Sequence, residues 1–384
     1  MDNEKFTNLT GQLVQIDRPA HPDRRDWAFI PDELPPKWEL PHHLWPLVAE
    51  ARECLGTLNG IGQTLSDPEL LLTPLQRQEA LASTKIEGTF VTPEQIMLFE
   101  LDPREARSTT DKAADWSEVM NYGDSLRVGR GMLEQSHITR HVIRSLHSVL
   151  MKGVRGRDKS PGQFRTRNVQ IGSTARYIPP PHQEVDRLLE NLELHIATTT
   201  DAIDPLVKCF VVHYQFEAIH PFEDGNGRVG RAMLALMIYK LLGHARPWLY
   251  MSAFYDRFQE EYFSNMFSIS TVGAWDQWIE YCLNGTIAQA KDSILRCNKF
   301  NALKTAFHER MIGKSPTPRS HGLIDSLFRN PIIRVSTVQR MFTVHYGTAK
   351  ADIDKLIEVK ILSPLSGLRP KAFYSSEILA IAYD

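Results

Sequence analysis

Apolar residues recur every three or four positions along most of this chain, which is typical of amphipathic helices. Between 47 and 102 the pattern predicts helices, one of which ends at Gly88 and has Pro74 in its first turn. Another begins at Thr92, because a threonine followed three residues later by Gln95 forms a capping box. The N-terminal third is therefore expected to be helical beyond its first segment.

The middle of the chain has the same periodicity. It predicts two helices between 111 and 151, further helices over 182–197 and 205–219, and one that begins around Gly227. Two segments break the pattern. Prolines and charges up to about Pro46 predict an ordered but irregular arm.

The second break, residues 163–172, is short, turn-rich and partly alternating, which predicts a β-hairpin that ends at 177–181. A proline-containing linker at 314–318 leads into a last segment of different character. Its pattern predicts a winged helix with helices and strands at 321–328, 332–335, from Ser336, from Gly347, 361–364 and 371–374.

Composition narrows the class of protein. The 384 residues are 42% hydrophobic and 23% charged, as in soluble globular chains, and 44 Lys and Arg against 46 Asp and Glu argue against a whole-chain affinity for nucleic acid. The widely spaced cysteines form neither a zinc ribbon nor a dense disulfide framework. The start of the chain has no basic and apolar signal pattern, so we expect a cytoplasmic protein that does not bind or cross a membrane.

The densest chemical signal is His220-Pro-Phe-Glu-Asp-Gly-Asn-Gly-Arg-Val-Gly-Arg231, between two apolar helices. Its Gly225-x-Gly227-x-x-Gly230 spacing matches a dinucleotide fingerprint formally, but neither the preceding strand nor the later acidic residue of that motif is present. A phosphate-binding P-loop is absent from the sequence as well.

The residues of this segment suit phosphate chemistry in another way. Glycines entering a helix offer backbone N–H groups at its positive end, and Arg228 and Arg231 lie three residues apart on that helix. Asp224 can supply one oxygen ligand to Mg²⁺, and His220 is a proton acceptor near neutral pH. The pattern predicts a site for a phosphorylated ligand.

HPFEDGNGRVGR resembles the signature of the Fic (filamentation induced by cAMP) family, H-P-F-x-[D/E]-G-N-G-R-x-x-R, at every defined position. The resemblance covers about 111–296 and implies a mainly α fold, with a Fic-type helical core, a β-hairpin flap and a C-terminal winged-helix domain. We divide the chain into an N-terminal arm and helices (1–110), the catalytic core (111–296) and a linker with the winged helix (297–384).

The resemblance implies transfer of AMP from ATP to a Ser, Thr or Tyr hydroxyl of a protein, with release of pyrophosphate. His220 would deprotonate the hydroxyl, Asp224 would hold Mg²⁺, and Phe222 would anchor the loop. The expected nucleotide-binding residues of the motif are Asp224, Gly225, Asn226, Gly227, Arg228, Val229, Gly230 and Arg231.

The predicted hairpin resembles the flap of the family, an exposed edge on which a target segment adds as a strand. Its candidate residues are Ile171, Gly172, Ser173 and Thr174. Tyr262 resembles an adenine-side tyrosine of the family, and a core aromatic is the alternative. Self-modification is expected besides modification of another protein.

Residues 83–88 resemble the inhibitory motif [S/T]-x-x-x-E-[G/N] of the family class that has an N-terminal inhibitory helix. Ser83 and Glu87 lie one helical turn apart, and Glu87 would pair with Arg231 in place of the γ-phosphate. The same carboxylate could align water and make the protein mainly a remover of AMP.

A different function class is a DNA-binding regulator whose Fic domain senses a nucleotide. The last 67 residues hold nine Lys or Arg against six Asp or Glu, and the expected recognition helix carries Asp352, Asp354 and Glu358. Because carboxylates are repelled by DNA phosphates, we favour target presentation or self-association as a homodimer for this domain.

Overall fold

The computed structural model is mainly α-helical, as predicted. It describes residues 1–8, 10–18, 21–65, 67–106, 108, 111–153, 160–172, 176–199, 203–365 and 370–383, without the side chains of residues 21, 22, 24 and 70. Ser173 and Thr174 of the expected flap lie outside these residues. Within the described part of the chain, no helix is both long and apolar enough to cross a membrane.

The N-terminal arm is a β-hairpin, so the prediction of an irregular segment was wrong. Strands β1 (Gly11–Arg18) and β2 (His21–Pro31) pair antiparallel. Phe29 is fully buried, and its N–H donates to the Ile178 carbonyl at 2.9 Å. Prolines exclude a helix here, but Pro31 only ends the second strand, and proline is tolerated at strand ends and edges.

Three helices follow the hairpin: α1 (Trp45–Thr64), α2 (Glu69–Ile86) and α3 (Pro93–Leu101). The capping box of α3 is present as predicted, since Thr92 accepts a hydrogen bond from the Gln95 N–H and Gln95 accepts one from the Thr92 N–H. The placement of Pro74 in a first turn was wrong, because α2 begins at Glu69 and contains Pro74 in its interior. Helix α2 packs against three helices that follow later in the chain, Lys112–Leu133, Ser252–Arg257 and Pro318–Arg329.

The centre of the molecule is helical. Its elements are α4 (Lys112–Leu133), α5 (Arg140–Leu150), α6 (Val185–Ala197), α7 (Pro205–Ile219), α8 (Asn226–Leu241), α9 (Ser252–Arg257), α10 (Gln259–Val272) and α11 (Trp275–Arg310). Helices α7 and α8 are buried on nearly every face, which agrees with their apolar composition. The loop between them therefore lies deep in the fold.

The predicted flap is shorter than a regular hairpin. Within the described residues, 163–170 form no strand, and a single antiparallel bridge joins Ile171 to Tyr177. The backbone before the bridge bonds to another part of the chain instead, since the Arg165 N–H donates to the Pro221 carbonyl at 2.9 Å. This bond ties the base of the flap to the loop between α7 and α8.

The last segment has the order of elements predicted for a winged helix. It consists of α12 (Pro318–Arg329), β3 (Ile332–Arg334), α13 (Val335–Phe342), α14 (Tyr346–Glu358), β4 (Ser363–Leu365), β5 (Ala372–Tyr374) and α15 (Ser376–Tyr383). The strands form an antiparallel sheet in the order β3-β5-β4. Helix α15 extends beyond the predicted elements, and α11 continues without a break through the expected domain boundary at 296.

The three carboxylates of α14 do not present the free negative face that the sequence suggested. Asp352 is buried in an ion pair with Arg319, Asp354 pairs with Lys350, and Glu358 pairs with Lys314. Asp354 and Glu358 stay 53% and 60% exposed in these pairs, so the pairing reduces the expected repulsion from DNA phosphates without removing it. The pairing by itself gives no positive reason for DNA binding.

Candidate active site

The junction of α7 and α8 is a tight corner built from two left-handed residues. His220 ends α7 with φ of 52°, and Gly225 precedes α8 with φ of 78°. The side chain of Asn226 holds the loop closed, because it accepts a hydrogen bond from the Phe222 N–H at 2.8 Å and donates one to the Phe222 carbonyl at 2.9 Å. The first N–H groups of α8 have no acceptor within the helix and remain available to an anion.

Phe222 anchors this loop in the core, as predicted. It is fully buried, and its ring stacks on His147 with centroids 3.8 Å apart. His147 Nδ1 accepts a hydrogen bond from the Gly162 N–H, so Nε2 is the protonated nitrogen and donates to the Asp224 carbonyl at 3.1 Å. Burial lowers the pKa of His147 to about 4, which keeps this support neutral at physiological pH.

Arg165 is a second support that sequence reasoning missed. Its guanidinium donates to the backbone carbonyls of Ile219, His220 and Pro180, at 3.3, 2.9 and 2.6 Å. Arg165 thereby fixes the end of α7 and the segment after the flap at the same point. Neither Arg165 nor His147 lies near the motif in sequence, and no spacing pattern links them to it.

His220 has the protonation state that a general base requires. It lines a cavity, and burial together with the nearby Arg165 lowers the pKa of the imidazole to about 4. The ring is therefore neutral at pH 7 and can accept a proton.

The cavity beside His220 measures about 430 Å³, within the usual range for small-molecule sites. One wall comes from α10 and is mostly aromatic and apolar, with Tyr262, Phe263, Met266 and Phe267. Polar side chains that line the cavity include Glu87, Glu217 and Arg231. Ile171 and Gly172 of the flap line it as well. The cavity thus combines an apolar wall with cationic and acidic side chains.

Arg231 lines the cavity and is held by residues at the C-terminal end of α2. Its Nε donates to Ser83 Oγ at 2.9 Å, and its Nη2 donates to the Ser83 carbonyl at 3.0 Å and to Glu87 Oε1 at 2.7 Å. Burial alone would raise the pKa of Glu87, but Arg231 outweighs burial and lowers it. The predicted pair of Glu87 and Arg231 is therefore present as a charged ion pair.

Glu87 lies directly over the start of α8. A Cβ atom placed on Gly227 would come within 2.3 Å of Glu87 Oε1 and within 2.8 Å of Arg231 Nη1. Only glycine leaves room for the carboxylate at this position. Glu87 therefore occupies the space in which the N–H groups of α8 and the Arg231 guanidinium would meet an anion.

Neighbouring helices hold this end of α2 in place. Gln259 donates a hydrogen bond to the Ile86 carbonyl at 3.2 Å, and Lys85 pairs with Asp256 at 2.7 Å. About two turns earlier in α2, buried Glu79 accepts hydrogen bonds from Tyr122 and from Ser252. These contacts connect α2 to α4, α9 and α10.

Arg228 does not join Arg231 at the cavity. Its guanidinium is buried, with Nη1 at 3.6 Å from Glu118 and Nη2 at 3.6 Å from Asp224. Val229 is a core residue with no exposed surface, and Gly230 packs against Glu217. The expected nucleotide-binding residues of the motif therefore divide between the cavity, the loop and the core.

Asp224 keeps one oxygen available beside the start of α8. Its Oδ1 accepts the Gly225 N–H at 2.6 Å, while Oδ2 has no partner among the described residues, and the side chain is 47% exposed. A single partly exposed carboxylate fits Mg²⁺, which commonly takes one or two protein oxygens and fills its other positions with water and phosphate. The described residues contain no cluster of three metal-ligating side chains.

Tyr262 is a core aromatic, the second of its two sequence interpretations, and it also borders the cavity. The residue is buried in an aromatic cluster, with its ring stacked on Tyr255 at 4.3 Å and its hydroxyl 2.9 Å from His213 Nε2. It also lines the cavity. Tyr262 is thus a core residue with one face toward the candidate ligand site.

Two family models match the chain. The model described as Fic/DOC family covers residues 137–238, and the one described as Fic/DOC family N-terminal covers residues 45–130. The first span contains His220, Asp224 and Arg231, and the second contains Glu87. Glu87 and Arg231, which form the ion pair over Gly227, therefore both lie in segments that a family model matches.

Similar curated proteins share only part of their length with this chain. It is 32% identical to Protein adenylyltransferase fic-1 of Caenorhabditis elegans over 80 residues, which are 21% of this chain and 15% of the relative. It is 42% identical to a probable protein adenylyltransferase of Aquifex aeolicus over 60 residues, 16% of this chain and 18% of the relative. The similarity thus spans well under two thirds of these proteins.

Solved structures share the fold over more of the chain. A Fic family protein from Desulfovibrio desulfuricans, at 19% identity, covers 89% of this chain and 98% of its own with a TM-score of 0.57. Fic-1 from Caenorhabditis elegans, at 20% identity, covers 69% of this chain and 76% of its own with a TM-score of 0.52.

Proposed function

Because this chain belongs to the Fic/DOC family, we propose that it is a protein adenylyltransferase that moves AMP from ATP to a Ser, Thr or Tyr hydroxyl and releases pyrophosphate. One observation carries the proposal. A neutral imidazole, a buried guanidinium and Gly227 at the start of α8 all line one cavity of about 430 Å³.

The chemistry follows from the placement of these groups. The triphosphate would lie over Gly227, with its outer phosphates on Arg231 and on the N–H groups of α8. His220 would take the proton of the attacking hydroxyl as its oxygen bonds to the α-phosphorus and the bond to pyrophosphate breaks in line. Mg²⁺ held through Asp224 would neutralise charge on the phosphates. Positioning and charge neutralisation would supply most of the rate.

Autoinhibition is part of the same proposal. Glu87 holds Arg231 and occupies the space above Gly227, so a triphosphate has to displace a carboxylate before it can bind in line with His220. An error of about 1 Å in the position of the α-phosphate is enough to cost roughly 100-fold in rate.

The target is expected to reach His220 along the flap, whose Ile171 and Gly172 line the cavity. Pairing between strand edges reads the backbone more than the side chains, so a segment of another protein or of a second copy could dock there. Self-modification and homodimerisation belong to the proposal on this basis.

Intact-mass spectrometry after incubation with ATP and Mg²⁺ tests the proposal. We expect little covalent AMP on the wild type, a large increase for Glu87→Gly, and none for Glu87→Gly combined with His220→Ala. Glu105→Gly, at an exposed glutamate outside the site, is the matched control and should behave as the wild type.

Equal incorporation in the wild type and the Glu87→Gly variant would refute the inhibitory role of Glu87. Incorporation that persists without His220 would refute its role as the base. Loss of AMP from a pre-modified protein in the wild type, but not in the Glu87→Gly variant, would instead favour the AMP-removing function.

A further inference from the structure

One acidic side chain in the cavity has no role in the chemistry described above. Glu217 lies on the last turn of α7, three residues before His220, and both side chains line the cavity. Residues three apart share one face of a helix, and Tyr214, one turn earlier, lines the cavity as well. Glu217 therefore lines the same cavity as the proposed base, His220.

The Glu217 carboxyl is seated closely against α8. A Cβ atom on Gly230 would lie 2.1 Å from Glu217 Oε1, so no larger residue fits at 230 while this carboxyl is in place. Oε1 is enclosed there and has no hydrogen-bond partner among the described residues. Because buried carboxyl groups normally make hydrogen bonds, the carboxyl is expected to find its partner through Oε2, on the cavity side.

We propose that Glu217 binds the nucleoside part of the donor nucleotide, through a hydrogen bond between its carboxyl group and a sugar hydroxyl or a base amino group. This inference rests on the proposed function. The proposed phosphate ligands are Arg231 and the N–H groups at the start of α8, whereas Glu217 packs against Gly230, one turn further along that helix. A nucleoside carries the hydrogen-bond donors that a phosphate lacks.

The protonation of Glu217 agrees with this role. Burial raises its pKa to about 8, with Arg231 acting to lower it and Glu87 to raise it. The other titratable and charged side chains on the cavity wall are Arg176, Tyr177, Tyr214, His220 and Tyr262. A triphosphate that replaces Glu87 also brings negative charge, so the carboxyl stays uncharged at pH 7 and can both donate and accept a hydrogen bond.

Equilibrium binding tests the inference in a background that combines Glu87→Gly with His220→Ala, which frees Arg231 and prevents turnover. Into this parent we introduce Glu217→Leu, which keeps the size but not the hydrogen bond, and Glu217→Gln, which keeps hydrogen bonding without ionising. Titration calorimetry with ATP and Mg²⁺ should give about a tenfold higher Kd for the leucine variant and a change within about threefold for the glutamine variant.

Three further binding measurements test whether the nucleoside, and not the phosphates, contacts Glu217. Tripolyphosphate should bind the parent and both variants equally, since it has no nucleoside. Between pH 7 and 9 the parent should lose affinity for ATP as Glu217 ionises, and the glutamine variant should not. With 2′,3′-dideoxyATP, which has neither sugar hydroxyl, a parent affinity that already equals the affinity of the leucine variant for ATP identifies a sugar hydroxyl as the partner, whereas a remaining difference between parent and leucine variant identifies the base.

Glu280→Leu, on an exposed face of α11, is the matched control and should bind as the parent does. Unchanged or tighter ATP binding by Glu217→Leu, or equal weakening of ATP and tripolyphosphate, would overturn the inference. If the leucine variant does not fold, a pH profile shared by the parent and the glutamine variant overturns it instead. A parent that fails to bind ATP would count against the proposed function itself, so the two failures are distinguishable.

Discussion

Helix α2 makes two arginine–glutamate contacts of different construction, one near its middle and one at its end. Arg77 donates three hydrogen bonds to Glu100 of α3, at 3.1, 3.0 and 2.7 Å. Glu87, just after α2, accepts one bond from Arg231, and its side chain is 36% exposed. The first contact is largely buried and has three hydrogen bonds, whereas the second has one hydrogen bond and lines the cavity.

The middle contact also reaches the C-terminal segment. Arg77 approaches the Tyr383 hydroxyl and the Arg329 carbonyl, and Asn330 donates to Glu100 at 3.2 Å. The helix is therefore anchored at its middle by a multiply bonded pair, whereas its end is held through a partly exposed carboxylate that makes a single bond to buried Arg231. A carboxylate that has to leave for a substrate is better held by one bond than by three.

The largest expected effect is on stability, at the middle contact. Glu100→Leu leaves the Arg77 guanidinium, whose side chain is 7% exposed, without its charged partner. Removing one member of a buried pair typically costs about 3–5 kcal/mol, which urea or thermal unfolding would detect. Adding Arg77→Met, which removes both charges, should restore most of the loss, and no recovery in this double variant would show that packing sets the stability here.

The second expected effect is a pH dependence of stability. It arises at the loop between α7 and α8 and is independent of both ion pairs. His147 and His220 have pKa values of about 4 in the folded protein, below the ordinary value of about 6.5. A lowered histidine pKa means that the unfolded state binds the proton first, so stability is lost as the pH falls from about 6.5 toward 4. The slope is about 1.4 kcal/mol per pH unit for one such histidine.

Unfolding measured at pH 7, 6 and 5 checks this dependence. His147→Gln removes one titrating group and should flatten the slope. His137→Gln, at an exposed histidine, is the control. An equal slope in all three proteins would mean that these buried imidazoles do not set the acid sensitivity.

The smallest expected effect concerns the end of α2, where both Ser83 and Glu87 bond Arg231. It measures how much each of the two residues contributes to the inhibition. Ser83→Ala removes the hydroxyl that accepts from Arg231 Nε at 2.9 Å but leaves the Ser83 carbonyl and Glu87 in place. One hydrogen bond of this kind is worth about 1–2 kcal/mol, so AMP transfer should rise several-fold and stay well below that of Glu87→Gly.

Ser125→Ala removes another buried serine hydroxyl that does not touch Arg231 and is the matched control. Transfer by Ser83→Ala equal to that of Glu87→Gly would assign the inhibition to the serine rather than to the carboxylate.

Local signals predicted much of the fold. Helix α7 has the predicted bounds, α8 begins one residue before the predicted start, and the cap of α3 is present, because caps and apolar stripes are written within a few neighbouring residues. The N-terminal hairpin was missed because strand pairing, including the bond from Phe29 to Ile178, depends on residues far apart in sequence.

For the candidate site too, the sequence predicted the local features and missed the contacts between distant residues. The twelve-residue motif named His220, Asp224 and Arg231 as site residues because they lie within one continuous segment, and His220 and Arg231 both line the cavity. It placed Arg228 beside Arg231 by helical spacing alone, but Glu118 of α4 and Asp224 flank the Arg228 guanidinium away from the cavity. A helical spacing gives the direction of a side chain only roughly, and neighbouring charges decide the rest.

The sequence alone determined the helical class, the twelve-residue motif between α7 and α8 and the pairing partner of Glu87, because each depends on short-range spacing or on a recognisable family pattern. The tertiary structure alone decided that Arg165 and His147 support the loop, that Glu217 faces the cavity, and that α2 is tied to the C-terminal segment. These contacts join residues that only packing brings together, and burial then sets their charge.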